Sequence, residues 1–375
     1  MKRCVIGGIL IAVAVPGTAS GQTLTVYSSL PLSGPSRVST QAVNAGARQA
    51  LREAGGQAGG RSVRLVTLND ATRRAGSWTP EREAQNARRA ARDDSTIAYI
   101  GAFNSGASSV SIPILNEAGV PQVSPSNTYT GLTIQGDRGE PDKYYPTGVR
   151  TYFRIVPNDT VQAAALVTAM RDRGCTRVAA VHDNEIYGAG MNRDFNAAAQ
   201  RLGLPVVVNR AIGRRTRGFR AITRARPDCV VYTGLTDNGA VRLFRSVGRG
   251  RQMFASDGVA ESGFTRRLPR SIARRTLVSV ATLAPEAYPG GTAIIGRSDP
   301  YKIYGYEAMK VILDAINAGG PTKEGVLAGL RGVQNRNSVL GTYSFDANGD
   351  TTLRTFGLYS VRGGELQWAG VVNAA

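Results

Sequence analysis

The chain has 375 residues, of which 42% are hydrophobic, so it can bury a large core, and its length favours two domains over one. Its formal net charge is +19, yet the basic residues are scattered, form no long run and are not interleaved with aromatic residues. This composition excludes a disordered chain and gives no support to nucleic-acid binding. It favours a solvated, arginine-rich surface, with attraction to an anionic partner as the alternative.

The first 21 residues have the three parts of a secretory signal peptide. Lys2 and Arg3 come first, an apolar run spans residues 5–15, and small residues follow, so we expect cleavage between Ala19 and Gln22. The apolar run is shorter than the roughly 20 residues that cross a bilayer, and no later segment approaches that length. We therefore predict an exported protein that is soluble once the signal is removed.

The sequence contains three cysteines. Cys4 precedes the apolar run of the signal, whereas a lipid-anchored protein would carry its cysteine just after that run. Cys175 and Cys229 each stand just before a predicted strand, and in an oxidising compartment a disulfide between them is one interpretation. Two buried free thiols are the alternative, because unpaired cysteine is often a small apolar core residue.

Predicted strands and helices alternate from the start of the mature chain. The first series consists of strands at 24–29, 62–68 and 97–103 and helices at 38–54, 80–92 and 107–118. A polar, glycine-rich segment, 135–151, then interrupts the pattern as a lobe boundary would, and a second series begins near Tyr152. It contains helices at 160–173, 190–202 and 219–224 and strands at 177–182, 206–208 and 229–233. Such alternation predicts parallel sheets flanked by helices, here in two similar lobes.

The last part of the chain adds a helix at 304–318, which ends at a Gly-Gly-Pro stop signal, and two late strands at 341–345 and 355–361. Between these strands lies Asp346-Ala347-Asn348-Gly349-Asp350, which has the beginning of a calcium-binding loop but not its terminal glutamate. An Asn-Gly hairpin turn that joins the two strands is therefore the preferred interpretation.

Two apolar runs of the first series end in clusters of small polar residues. Asn104-Ser105-Gly106 follows the strand at 97–103 and begins a helix, whose free N–H groups and dipole attract an anion such as a carboxylate. Ser124-Pro125-Ser126-Asn127-Thr128 follows the next apolar run. If the two strands are neighbours, both clusters meet at the carboxyl edge of the sheet, where open α/β sheets bind ligands. The alternative is that the serines only cap helices.

Motifs for catalysis and cofactor binding are weak or missing in the sequence. His182 is the only histidine, which leaves little for a metal site or a nucleophile relay. Gly188-Ala189-Gly190 lacks the third glycine of a dinucleotide fingerprint, and no Walker-type motif occurs. Asp183, Glu185 and Asp257 can form an acid/base pair only if the fold brings them together. We therefore predict no enzyme activity, no cofactor and no metal.

Several short motifs, taken in order, resemble the periplasmic leucine/isoleucine/valine-binding protein family, the receptors of branched-chain amino acid ABC transporters. The similarity covers nearly the whole mature chain, and it is the order of the motifs that makes it specific. The motifs are Leu30-Pro31-Leu32-Ser33-Gly34, Ala54-Gly55-Gly56, Ile100-Gly101 with Ser105, Val123-Ser124-Pro125-Ser126, Tyr152-Phe153-Arg154, His182-Asp183 with Tyr187-Gly188, and Ser256-Asp257-Gly258.

The resemblance implies a type 1 periplasmic binding protein fold, in which two α/β lobes are joined by three crossovers and close on a ligand by hinge motion. The implied partner is an ABC permease, and we expect a monomer. The crossovers would lie near 152–157, 277–283 and 339–344; residues 22–154 with 282–341 would form lobe 1, and residues 155–281 with 342–375 would form lobe 2.

The resemblance also implies roles for particular residues. In lobe 1, the α-carboxylate and α-ammonium of an amino acid would be held by Ser105, Ser126 and Thr128. In lobe 2, Tyr187 and Asp257 would contact the ligand, with Asp257 paired to the ammonium. A turn role for Asp257 and ordinary packing of Tyr187 are the alternatives. The predicted site is completed by Asn104, Gly106 and Thr236.

Two departures from the family pattern concern the ligand's side chain. Leu235 replaces a tyrosine, and Ser39 stands near the place of an aromatic wall residue, so we expect a larger or more hydrated pocket. The candidate ligands are then a branched-chain or polar amino acid, an amide, urea or an aromatic carboxylate. A sensor of the same fold that acts with a signalling partner is the alternative to a transport receptor.

Overall fold

The computed structural model describes residues 22–373, so the predicted signal peptide and Cys4 lie outside the described residues. The strands are β1 (Leu24–Leu30), β2 (Gln57–Ala58), β3 (Arg61–Asn69), β4 (Thr96–Gly101), β5 (Gln122–Ser124), β6 (Tyr152–Arg154), β7 (Val178–His182), β8 (Val206–Ala211), β9 (Cys229–Thr233), β10 (Gln252–Ala255), β11 (Thr276–Val280), β12 (Arg336–Ser338), β13 (Gly341–Tyr343), β14 (Thr355–Arg362) and β15 (Glu365–Asn373). The α-helices are α1 (Arg37–Glu53), α2 (Pro80–Arg92), α3 (Ser105–Glu117), α4 (Asp159–Asp172), α5 (Ile186–Arg201), α6 (Arg220–Arg224), α7 (Ala240–Val247), α8 (Ser262–Thr265), α9 (Arg270–Ala273), α10 (Gly291–Ile295), α11 (Lys302–Gly319) and α12 (Lys323–Arg331).

The first sheet has six strands in the order β2-β3-β1-β4-β5-β6. Its neighbouring strands are parallel except for β2 and β3. Every residue of β1 and β4 is buried, which is typical of parallel strands covered by helices on both faces. Helix α1 packs against α11, which packs against α12, and α2 packs against α3. The first sheet with these helices is called lobe 1 below.

The second sheet has seven strands in the order β15-β14-β11-β10-β9-β7-β8. The five strands β7 to β11 are parallel, and β14 and β15 add an antiparallel ribbon at one edge. Helix α4 packs against α5 and against the β11, β14 and β15 edge. This sheet with its helices is called lobe 2. The predicted α/β class with two helix-flanked sheets is confirmed.

The chain passes between the two sheets after β6, after β11 and after β13. The polar segment 135–151 is not such a passage, because β6 pairs with β5 in the first sheet. The segment is instead anchored to α3 of lobe 1, where the Asn116 side chain donates to the Val149 carbonyl (2.7 Å) and accepts from the Thr147 hydroxyl (2.8 Å). The second alternating series therefore begins after Arg154, and not at Tyr152 as the sequence pattern suggested.

The predicted hairpin between the two late strands is wrong. Strand β13 pairs with β12, whereas β14 pairs with β11 and β15 in the other sheet. The turn at 346–350 does form, with the Asp346 carboxylate accepting from the N–H groups of Asn348 (2.9 Å) and Asp350 (2.8 Å). The strands separate after it because β14 is paired on both sides, by β11 and β15, and has no free edge for β13.

Cys175 and Cys229 are joined by a disulfide, with their Cα atoms 5.7 Å apart. The bond links the loop before β7 to the start of β9, and these two strands are parallel neighbours with Val178 opposite Cys229. Among residues 22–373, the structure contains no helix that combines the length and the apolar character needed to span a membrane.

Candidate ligand-binding site

The carboxyl ends of β4 and β5 lie side by side, with Ile100 opposite Val123. The two polar clusters that follow these strands therefore meet, as the sequence pattern predicts for neighbouring strands. The Ser126 hydroxyl donates to the Phe103 carbonyl (2.8 Å), and the Tyr129 N–H donates to Ser105 Oγ (3.4 Å). These bonds tie the second cluster to the residues that lead into α3.

Helix α3 begins at Ser105 and aims its amino end at this junction. Asn104 occupies the capping position with an extended backbone but makes no side-chain capping bond, and the Ser105 hydroxyl bonds to Tyr129 instead. The alternative that Ser105 and Ser126 only cap helices is therefore not supported. In the described part of the chain, the N–H groups of Ser105 and Gly106 have no acceptor. An anion at this point would receive both donors and the favourable end of the helix dipole.

Lobe 2 contributes Tyr187, from the first turn of α5, and Asp257, which follows β10. The Tyr187 hydroxyl lies 2.5 Å from Asp257 Oδ1 and 2.7 Å from Ser256 Oγ. Burial raises the pKa of the Asp257 carboxyl, and the hydrogen bond from Tyr187 opposes that rise. Asp257 also begins a short helical turn, so the same residue shapes the turn and faces the cleft. No cation within residues 22–373 forms an ion pair with this carboxylate.

A void of about 40 Å³ lies between the lobes at this point, and we call it the binding void. Seven of the eight predicted ligand-contacting residues line it, and Thr236 lines the cavity next to it. The seven are Asn104, Ser105, Gly106, Ser126, Thr128, Tyr187 and Asp257.

Three aromatic residues that the sequence analysis did not single out also line the binding void, namely Trp78, Phe103 and Tyr301. The rings of Phe103 and Tyr301 meet edge to face, with centroids 5.2 Å apart. Trp78 packs so closely on α3 that a Cβ atom at Gly106 would lie 2.6 Å from its Cζ2 atom, so this position requires glycine. Trp78 could have been noticed in the sequence, because it stands just before the Thr79-Pro80 helix start, whereas no local pattern points to Tyr301.

The binding void therefore keeps an aromatic wall, contrary to the expectation from the sequence. Leu235 does line the binding void, but the rings of Trp78, Phe103 and Tyr301 supply aromatic surface from other segments. Ser39 faces a different cavity and donates to Asp299 Oδ2 (2.9 Å).

A fully buried carboxylate, Asp159, lies behind the site and was also missed. It begins α4, its N–H donates to the Thr128 carbonyl (2.8 Å), and neither of its carboxylate oxygens has a hydrogen-bond partner in the structure. Burial raises the pKa of this carboxyl well above its usual value, and the neighbouring acids Asp194 and Asp257 raise it further. The Asp159 carboxyl therefore keeps its proton to a higher pH than an ordinary aspartate does, and it lies next to the backbone of Thr128.

Two residues considered for catalysis, Asp183 and His182, are held in structural contacts. Asp183 accepts from the N–H groups of Leu235 (2.7 Å) and Glu185 (3.1 Å) and from the Asn238 amide (2.9 Å), so it organises the loop structure. His182 Nδ1 lies 2.6 Å from the Asp183 carbonyl oxygen. These contacts give both residues structural roles.

Comparison with known proteins decides the family. The family described as periplasmic binding protein matches residues 28–365 of this chain. The chain belongs to this family. Its members are substrate-binding proteins of transporters and not enzymes, so the predictions of family and of a non-catalytic role are confirmed.

One sequence relative and two solved structures show how far the likeness extends. A Leu/Ile/Val-binding protein of Rhizobium johnstonii is 25% identical over 359 residues, which cover 92% of this chain and 93% of that protein. The leucine-binding protein LivK of Thermotoga maritima superposes with a TM-score of 0.79 at 23% identity, over 93% of this chain and 99% of that one. A solute-binding protein of R. palustris, solved with benzoate, gives a TM-score of 0.75 at 18% identity, over 94% and 98% of the two chains.

Several hydrogen bonds connect the lobes of this periplasmic binding protein around the binding void. Ser36 donates to Glu261 Oε2 (3.2 Å), and the Arg214 guanidinium donates to the Ala75 carbonyl (3.2 Å). The Thr130 hydroxyl donates to Asp194 Oδ2 (2.5 Å). The structure is therefore a closed arrangement, in which both lobes touch the same small space.

Proposed function

We propose that this protein is an extracytoplasmic substrate-binding protein of an ABC importer, which binds a small amino acid between its lobes and delivers it to a membrane permease. The observation that carries the proposal is the binding void, where the amino end of α3 in lobe 1 faces the unpaired carboxylate of Asp257 in lobe 2. An α-amino acid carries the two opposite charges that this arrangement accommodates.

The carboxylate half of the ligand would lie against lobe 1. The free N–H groups of Ser105 and Gly106 and the helix dipole favour a negative charge there. The Ser105, Ser126 and Thr128 side chains line the same wall and offer hydroxyl groups to the ligand.

The ammonium half would lie against Asp257. Tyr187 donates to one oxygen of this carboxylate and so holds it in place, while no protein cation neutralises it. A charge-assisted hydrogen bond from a ligand ammonium would contribute about 1.5–3 kcal/mol. Because this bond needs lobe 2 and the carboxylate contacts need lobe 1, the ligand gains both only when the lobes are closed.

The proposal includes the division of the chain and its location. We assign residues 22–154 and 282–341 to one lobe and residues 155–281 and 342–375 to the other, with residues 1–21 acting as an export signal. The monomer would then meet its ligand outside the cytoplasm and dock on the permease in its closed form.

An aromatic carboxylate is the second candidate ligand, because Trp78, Phe103 and Tyr301 surround the binding void. The R. palustris protein of the same fold was solved with benzoate. Such a ligand would use the α3 site for its carboxylate but would leave Asp257 without a cation. For this reason we place it second, together with amides, urea and a role as a sensor with a signalling partner.

A binding screen tests the proposal. The protein from residue 22 onward, stripped of ligand by unfolding and refolding, is heated with each amino acid, benzoate, 4-hydroxybenzoate, urea and short amides. A ligand at about 100 times its Kd adds about 2.7 kcal/mol of stability. A selective rise with amino acids, lost when either the carboxyl or the amino group is removed, supports the proposal. A rise with aromatic acids alone supports the second candidate, and a flat response contradicts both.

A further inference from the structure

A second cavity of about 260 Å³ adjoins the binding void, and we call it the side chamber. The two spaces share five lining residues, so a ligand held at Ser105 and Asp257 would extend directly into the side chamber. The shared residues are Trp78, Asn104, Glu185, Leu235 and Gly258.

The side chamber carries an excess of acidic groups. Its lining contains Glu185, Asp237 and Glu261 against a single cation, Arg214. Arg214 pairs with Asp237 at 3.5 Å, and these two charges offset each other. Glu185 and Glu261 form no ion pair within residues 22–373, and the only hydrogen bond to the Glu261 carboxylate comes from Ser36 (3.2 Å). Glu261 is therefore left without a cation, while Glu185 and Asp237 share the single cation of this partly enclosed space, Arg214.

Burial affects the carboxyls of both Glu185 and Glu261. It raises the pKa of Glu261 to about 7, and the hydroxyls of Thr236 and Ser36 only partly oppose that rise. Burial and the nearby Asp183 carboxyl raise the pKa of Glu185, and Asn238 and Arg214 only partly oppose that rise. Such shifts express the cost of a charge that lacks a partner, and a cation placed between the carboxylates would offset that cost.

A buried hydroxyl in the same chamber also lacks a partner. Thr236 is only 4% exposed, lines the side chamber, and its Oγ1 atom makes no hydrogen bond in the structure, although the hydroxyl lies near the Glu261 carboxyl and opposes the rise of its pKa. A buried polar atom without a partner is unfavourable, and a ligand with a hydrogen-bond donor would supply the partner. Trp78 lines both spaces, and its aromatic ring would attract a positive charge placed over it.

We propose that the ligand is an α-amino acid whose side chain ends in a cation, an amine or a guanidinium, which enters the side chamber between Glu185 and Glu261. This inference rests on the proposed function and names its substrate class. Leu235 and Trp78, at the junction of the two spaces, would contact the apolar stem of such a side chain. The cation would give Glu261 the partner that it lacks, would add to Arg214 in offsetting the charge of Glu185, and would donate to Thr236.

The test compares ligands that differ only in the distal charge. The refolded protein is titrated calorimetrically with arginine and with citrulline, and with lysine and with norleucine. We expect at least one cationic ligand to bind about tenfold more tightly than its neutral counterpart. If the neutral ligands or leucine bind as well or better, the side-chamber inference fails and the amino acid receptor stands. If no α-amino acid binds, the proposed function fails as well.

Two variants localise the effect. Glu185→Gln and Glu261→Gln should each weaken binding of the cationic ligand about tenfold and change binding of its neutral counterpart less than threefold. Glu286→Gln, an exposed carboxylate outside the side chamber, is the matched control. Thermal melts of the free variants separate a folding defect from a binding defect. Equal losses for the charged and neutral ligands in both folded variants would overturn the inference.

Discussion

Arg154 and Asp350, 196 residues apart, form a buried ion pair in which Nε lies 2.6 Å from Oδ1. Arg154 ends the last strand of the first sheet, and Asp350 precedes the strand that enters the second. The same guanidinium also donates to the Tyr129 carbonyl (2.8 Å) and to the Thr133 hydroxyl. The pair therefore fixes the chain just beyond Thr128, and with it one wall of the binding void.

Replacing one partner of this pair should be costly. Asp350→Asn leaves the Arg154 charge buried without a counter-ion, so we expect the free energy of unfolding to fall by about 3–5 kcal/mol. Chemical denaturation measures the loss. The control is Asp142→Asn, which breaks the exposed pair with Arg150 (3.4 Å) and should cost less than about 1 kcal/mol. Similar losses in the two variants would contradict the structural role given to Arg154.

The binding role of Asp257 can be separated from its role in the turn. Asp257→Asn keeps the shape of the side chain but removes the charge, so affinity for an amino acid ligand should fall about ten- to a hundredfold. Affinity for the same ligand without its amino group should change little. Asp172→Asn, an exposed acid at the end of α4, serves as the control. An equal loss for both ligands would assign Asp257 to the turn alone.

The contact between Gly106 and Trp78 gives a steric prediction. Gly106→Ala places a methyl group 2.6 Å from the Trp78 ring, so the ring must move and affinity should fall at least tenfold. The emission of Trp78 should shift, and Trp78→Ala in the same chain should relieve the clash and restore part of the stability. Gly218→Ala, where no atom lies within 4 Å, should be silent. Unchanged affinity in Gly106→Ala would show that the ring is not held against α3.

The disulfide should stabilise the protein without serving the site. It links residues 54 positions apart, and cross-links of this kind typically contribute about 2–4 kcal/mol. Replacing both Cys175 and Cys229 by alanine should lower stability by that amount and leave the ligand affinity within twofold. When the protein is denatured without a reductant and treated with a thiol-labelling reagent, no free cysteine should be found in the mature chain. Labelling of two thiols would contradict the disulfide.

A pair of buried acids in lobe 1 predicts a pH dependence of stability. Burial raises the pKa of Glu83 to about 7, and burial and Glu83 together raise the pKa of Asp70. Between about pH 4.5 and 7 the folded protein then holds protons that the unfolded chain has lost, so these groups lower stability as the pH rises. Glu83→Gln should therefore gain stability relative to the parent over this range, measured by denaturation at several pH values. The control is Glu81→Gln, an exposed position on the same helix, whose stability should vary with pH as that of the parent does. If the stability of Glu83→Gln has the same slope against pH as that of the parent, the prediction is contradicted.

Most of the secondary structure could be read from local patterns, with bounds that shift by a few residues. Helix α3 begins at Ser105, two residues before the predicted start, and α5 begins at Ile186, four residues early, because the glycines at 188 and 190 weaken the helical signal. Strands β2, β10, β11, β12 and β15 were missed. Strand pairing was predicted correctly where alternation fixes it, and wrongly for β13, whose partner depends on contacts far along the chain.

Local sequence patterns are enough to predict the α/β class, the two lobes, the family and the small polar clusters at the ends of β4 and β5, because these depend on residues close together in the chain. Which distant residues meet depends on the folded chain as a whole. It brought Trp78 and Tyr301 to the binding void, paired Arg154 with Asp350, and placed Glu185 and Glu261 around one chamber. Contacts between lobes join segments as far as 225 positions apart, as Ser36 and Glu261 do, and no local spacing encodes them.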